Sequence, residues 1–179
     1  PLDETGVSAE DAALRAAILM EEAASKNEQG LIAAFDLSKA YDRLRLSQVL
    51  QLCLDAGVHP AIAKPMADMA FSRRRIKVLD VAGESFLPTN SLLPGCSLAT
   101  HIMGLLLLRW RTDVRLYLPP QGFLRCWVDD STLGAIGERI LLVVLAALHA
   151  FEKLEFTDYM AVNRIKSGVV ATSTRLEQR

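Results

Sequence analysis

No apolar run in this sequence is long enough to span a membrane. The longest, ILLVVLAALHAF at residues 140–151, is interrupted by His149, and a spanning helix needs about 20 apolar residues. It reads as a buried helix, and no membrane partner is expected. The N-terminus, PLDETGVSAEDAALR, carries acids where a secretory signal would carry basic residues, and it lacks an initiator Met. The chain is therefore expected to be a fragment or a mature piece. Cysteine is scarce: Cys53, Cys96 and Cys126 are too far apart for a zinc-type pairing and are odd in number. They point to a reducing, intracellular setting, nuclear or cytoplasmic. An excess of one charge is also missing. Lys and Arg number 20 against 21 Asp and Glu, which excludes a global cationic field. Any nucleic-acid partner must be held by local patches. Internal repeats, low-complexity tracts and long linkers are absent too.

What is present is core material. Hydrophobic residues make up 51% of the 179, enough for one domain or one domain with a small lobe. Ser8 and Asp11 form a capping-box pattern that predicts a helix to about Ser25. LIAAFD, residues 31–36, reads as a buried strand ending on an acid. Leu46, Val49, Leu50, Cys53 and Leu54 recur at helical spacing and stop before Gly57. A further helix is expected over residues 60–72, interrupted or started by Pro65. RIKVLDVAGESF predicts two strands with a turn at Gly83. A helix is expected from Leu98 to Trp110, then a hairpin with FLRCWV and STLGAIG as its arms, a buried helix over 138–156, and a final strand. This order predicts an α+β domain whose single antiparallel sheet is covered by helices on one face.

The hairpin tip holds Asp129 and Asp130. Turns favour Asp, so such a pair by itself is ordinary. The second acid-tipped strand changes the reading, because Asp36 follows LIAAF as Asp129 follows FLRCWV. Neighbouring strands would bring these ends together, with Asp36 and Asp129 close enough to share one ion. Crowded carboxylates repel unless cations lie between them. Mg²⁺ takes oxygen ligands and keeps positions open for phosphates. Two such ions about 4 Å apart can activate an attacking oxygen and stabilise a leaving one in phosphoryl transfer.

Four stretches carry a family resemblance: FDLSKAYD, LLPGCSLATHIMGLLL, CWVDDSTL and VNRIKSGV. In order and approximate spacing they resemble motifs A, B, C and D of the reverse transcriptase palm, of the non-LTR retrotransposon or group II intron type. The resemblance covers most of residues 8–172. It implies a polymerase palm-like fold over 31–179 with interleaved fingers helices, an N-terminal helix and partial fingers over 8–30, and no thumb. It implies RNA-directed DNA synthesis with two Mg²⁺ ions, or Mn²⁺ in their place, and as partners an RNA template, a DNA primer and deoxynucleoside triphosphates. Oligomeric state is not implied.

Position by position, Asp36 resembles the motif A metal ligand, with the Leu37 carbonyl as a further oxygen. The amides of Lys39 and Ala40 would face the triphosphate. Asp129 and Asp130 correspond to the motif C acids. Tyr41 matches the aromatic gate that excludes a 2'-hydroxyl, which argues against an RNA-dependent RNA polymerase. Lys166 matches the motif D lysine, a general acid and electrostatic stabiliser at the leaving pyrophosphate, with Asn163 part of the same motif. Asp42 is expected to start the following helix rather than bind metal. RRRIK, residues 73–77, fits either a phosphate-gripping patch or a solvated strand edge. Motif B departs from its usual Gln-Gly-x-Pro-x-Ser-Pro: Gly95 remains, Pro94 replaces Gln, Ser97 replaces Pro, and Ala99 and Thr100 replace Ser-Pro. The intact acids favour an enzyme. Pro94 favours a different class, a catalytically dead remnant or nucleic-acid-binding module that keeps the palm fold.

Overall fold

The computed structural model describes residues 9–93, 96–127, 130–137, 139–158 and 160–172. Helix α1 (Ala9–Ser25) leads into strand β1 (Gly30–Asp36), a one-turn helix α2 (Ala40–Arg43), and helices α3 (Leu46–Asp55) and α4 (Pro60–Ala70). A hairpin of β2 (Arg74–Val78) and β3 (Val81–Phe86) follows, then α5 (Ser97–Arg115), β4 (Phe123–Trp127), β5 (Asp130–Ile136), α6 (Ile140–Asp158) and β6 (Gly168–Ala171). The main sheet has the order β4-β5-β1-β6, and every neighbour pair is antiparallel. β2 and β3 form a separate two-stranded sheet. Among the described residues no helix is long and apolar enough to cross a membrane.

Strand alternation decides which side chains meet the helices. Leu31, Ala33 and Phe35 of β1, Leu133 and Ala135 of β5, and Leu124 of β4 are buried in one cluster with α5 and α6. At its centre the rings of Trp110 and Phe151 lie 4.5 Å apart between centroids, and Phe35 stands 5.0 Å from Phe151. The Trp110 indole N–H donates to the Ala147 carbonyl at 3.1 Å, joining α5 to α6 and satisfying the polar edge of a buried ring. On the opposite face α1 adds a smaller apolar cluster at one end of the sheet, where Leu19 and Ala23 meet Phe123 and Ile136.

Several expectations shift in detail. Ser8, half of the expected capping box, lies outside the described residues. α4 runs through Pro65 without a break, with Pro60 opening the helix where a missing N–H costs nothing. The hairpin turns at Leu79 and Asp80, not at Gly83, which sits inside β3. Leu79 takes the positive φ of 53° that the tight reversal requires. Asp42 does not start α3. Leu44 is extended and breaks the chain between α2 and α3, and Arg45 with Gln48 supplies the capping box of α3.

Two glycines allow α1 and the sheet to close. A Cβ on Gly30 would stand 2.7 Å from Ala23 Cβ, and one on Gly134 would stand 2.4 Å from Phe123 Cε1 and 2.8 Å from Ile32 Cδ1. Gly134→Ala is therefore expected to destabilise the fold by about 1–3 kcal/mol through overpacking. Thermal unfolding checks this, and an unchanged melting temperature would show that Phe123 and Ile32 yield freely.

Candidate active site

β1 is an ordinary half-buried strand until its last residue. Phe35 points into the aromatic cluster, so the next side chain, Asp36, projects from the other face. On β5 the same logic holds: Ser131 is buried and its neighbour Asp130 is exposed. The β1–β5 register sets Asp36 directly opposite Asp130. Opposed residues of an antiparallel pair share a face, with Cβ atoms about 5 Å apart. Two carboxylates on one face at opposed positions repel each other, less so where Asp130 meets water. The pairing calls for positive charge. Lys166 supplies some of it, with Nζ 3.8 Å from Asp36 Oδ2; the lysine side chain is 69% exposed and the aspartate 15%.

The loop that presents Lys166 is fastened to the end of β1. Asn163 N donates to the Asp36 carbonyl at 2.8 Å, and Ser38 N donates to the Ala161 carbonyl at 2.8 Å. The Asp36 amide in turn donates to Ser167 Oγ at 3.1 Å. Within the loop, Asn163 Oδ1 accepts from Ile165 N at 3.2 Å and Lys166 N at 3.4 Å. This is the side-chain-to-backbone turn that Asn favours. Leu37 bridges to Val162 and is buried. The bonds flanking that bridge use the Asp36 carbonyl and the Ser38 amide rather than the Leu37 carbonyl.

Beyond β1 the chain reverses at Lys39, which is exposed and left-handed at φ 51°, ψ 43°. Ala40 is buried at the start of α2, and Tyr41 packs half-buried against the main core. Asp129, Pro94 and Gly95 lie outside the described residues, and with them the expected approach of Asp36 to Asp129. Among the described residues no group of three or more His, Cys, Asp and Glu could hold a metal. The donors at this strand end are two carboxylates, with a backbone carbonyl next in sequence. An all-oxygen set of this kind fits Mg²⁺ or Mn²⁺.

The basic run divides. Arg74 turns inward, and its guanidinium donates to the carbonyls of Ala70 at 3.0 Å and Ser91 at 2.7 Å. Lys77 pairs with Asp80 at 3.7 Å, while Arg75 is exposed. At Cys126, three residues before Asp129, burial pushes the thiol pKa up, which disfavours the thiolate form. Two structural contributors escaped the sequence reading. Ser167 is the anchor of Asp36, and its only signal was a polar residue just ahead of the last strand. Arg125, 8% exposed, lines a cleft of about 650 Å³ between α1 and β4, and an arginine within an apolar strand was the visible sign.

No protein-family model matches the chain, and no curated protein matches it. Solved structures do. An apo telomerase from Candida tropicalis, truncated from its C-terminal domain, superposes with a TM-score of 0.68 at 14% identity, covering 93% of this chain and 36% of that one. Telomerase from Candida tropicalis in complex with a TWJ fragment of telomeric RNA gives 0.68 at 14% identity, covering 93% and 30%. Telomerase from Candida albicans, also with a TWJ fragment of telomeric RNA, gives 0.69 at 15% identity, covering 93% and 31%. The chain thus spans about a third of the length of the telomerase chains it matches. Its fold is reverse-transcriptase-like: a mixed α+β arrangement of helices and an antiparallel sheet.

Proposed function

We propose that this chain is the palm portion of an RNA-directed DNA polymerase that extends a DNA primer on an RNA template with deoxynucleoside triphosphates. The carrying observation is the pairing of Asp36 with Asp130 across β1 and β5, with Lys166 at 3.8 Å from Asp36. The reverse-transcriptase-like fold and the order of the four motifs support it. The motif resemblance favours a retroelement of the non-LTR or group II intron type as the parent.

Asp36 and Asp130, joined by Asp129 and the Leu37 carbonyl, would hold two Mg²⁺ ions, which when bound polarise the reacting oxygens of a phosphoryl transfer. The remaining work falls to the chain itself. The buried aromatic cluster holds the end of β1 from beneath, so Asp36 is presented without rearrangement. Lys166 is exposed enough to swing from Asp36 toward a leaving pyrophosphate and give it a proton. Tyr41, five residues after Asp36, would bring a ring beneath the incoming sugar, and Lys39 and Ala40 would border the triphosphate.

Primer extension by the full-length parent with RNA template, deoxynucleotides and Mg²⁺ tests the reading. Asp36→Asn is expected to remove at least about 10³-fold of kcat, as loss of a principal electrostatic stabiliser does. No incorporation by well-folded wild-type parent would favour the remnant that keeps the fold without turnover.

Lys166→Ala should lower kcat by about 10²-fold, the range of a lost general acid, and leave the nucleotide KM within a few-fold. A fall confined to KM would assign Lys166 to binding alone.

Tyr41→Val should raise ribonucleotide use relative to deoxynucleotide, each 1.4 kcal/mol of relieved clash shifting the ratio of kcat/KM values about tenfold. An unchanged ratio in an active variant would leave Tyr41 as a core aromatic only.

A further inference from the structure

α2 is a single turn, and one turn of helix does not sustain itself in water. Residues 90–92, which follow the β2–β3 hairpin, hold it. Leu92 N donates to the Tyr41 carbonyl at 2.8 Å and Ser91 N to the Leu44 carbonyl at 3.0 Å. Asn90 Nδ2 donates to the Asp42 carbonyl at 3.1 Å, and Ser91 Oγ to Asp42 Oδ1 at 3.1 Å. Leu92 is wholly buried, so this segment is pinned to the core.

Ser91 has φ 82°, a conformation that costs a non-glycine residue about 1–3 kcal/mol unless its surroundings impose it. Here they do. Its amide, hydroxyl and carbonyl are all engaged, the carbonyl by Arg74 at 2.7 Å. The same guanidinium reaches the Ala70 carbonyl at the last residue of α4, where helix carbonyls lack partners. A continuous polar chain therefore runs from α4 through Arg74 and Ser91 to Asp42, next to Tyr41.

We propose that Asp42, Ser91 and Arg74 are positioning residues for sugar selection, setting the Tyr41 ring through α2. The inference rests on the polymerase reading and deepens it. A steric filter discriminates only while its ring is held, and small misplacements cost heavily in geometry-dependent steps.

The test compares kcat/KM for matched deoxy and ribo substrates in the full-length parent on RNA template and DNA primer. Asp42→Ala and Ser91→Gly should each lower the deoxy-to-ribo ratio about five- to tenfold, the effect of losing one ordinary hydrogen bond. Glycine accepts φ 82°, so Ser91→Gly removes the hydroxyl without adding strain. Asp42→Asn keeps an acceptor oxygen for Ser91 and should restore most of the ratio. Combined with Tyr41→Val, Asp42→Ala should change the ratio no further, because the two act through one ring. Variants that lose melting temperature or kcat for both substrates while the ratio holds would overturn the inference alone, as would additive effects. An inactive wild-type parent would remove the polymerase reading and the inference with it.

Discussion

Everything at the candidate site depends on the phase of β1. Side chains alternate across a strand, so a core-facing Phe35 obliges Asp36 to face outward. Slipping β1 by one residue would drive the carboxylate among Trp110 and Phe151 and expose the phenyl ring. The aromatic cluster therefore does more than fill space: burying a Phe contributes about 1.5–3 kcal/mol, and that free energy holds the acid in the outward register. The same logic on β5 turns Ser131 in and Asp130 out. Two carboxylates come to oppose each other because two core-facing neighbours leave them no other place.

The face that carries them is closed at one end and open at the other. α1 covers the end where β1 begins, packing Leu19 and Ala23 over Phe123 and Ile136, and Gly134 lets Phe123 and Ile32 meet there. Ala34, one step before the acids on this face, is exposed. The sheet thus combines a stable floor with an accessible strand end. An antiparallel sheet does this readily, since one face can be packed while part of the other meets water.

Much of this was legible in the sequence, and the failures have physical causes. LIAAFD and FLRCWV read as acid-tipped strands because their apolar runs are short and end abruptly in charge; in the sheet β5 lies between β4 and β1, so the neighbour that sets an acid opposite Asp36 is β5, with Asp130, and not the FLRCWV strand. α3 was plain from its spacing. Gly83 is the only glycine in RIKVLDVAGESF and so suggests a turn there, whereas Leu79 accepts the left-handed conformation that the reversal imposes. Asp42 looked like a helix start because Asp suits that position; the extended Leu44 that separates α2 from α3 left no trace in the pattern. In sequence Arg74 fits a phosphate-gripping patch or a solvated strand edge, since nothing local distinguishes it from Arg73 and Arg75. Its partners, Ala70 and Ser91, include a backbone carbonyl 17 residues away. Contacts of that kind depend on tertiary structure, and one-dimensional periodicity does not encode them.

The loop from Ala161 to Ser167 is joined to β1 largely through main-chain atoms: Asn163 N to the Asp36 carbonyl, and Ser38 N to the Ala161 carbonyl. Backbone tethers are indifferent to which side chains a loop displays. Position 166 can therefore exchange its cation for another group while the loop keeps its course, whereas positions 163 and 167, whose side chains bond to the backbone, cannot vary so freely. Evolutionary change at this rim is thereby channelled: the chemistry offered to Asp36 is adjustable one residue at a time, without rebuilding the support that delivers it.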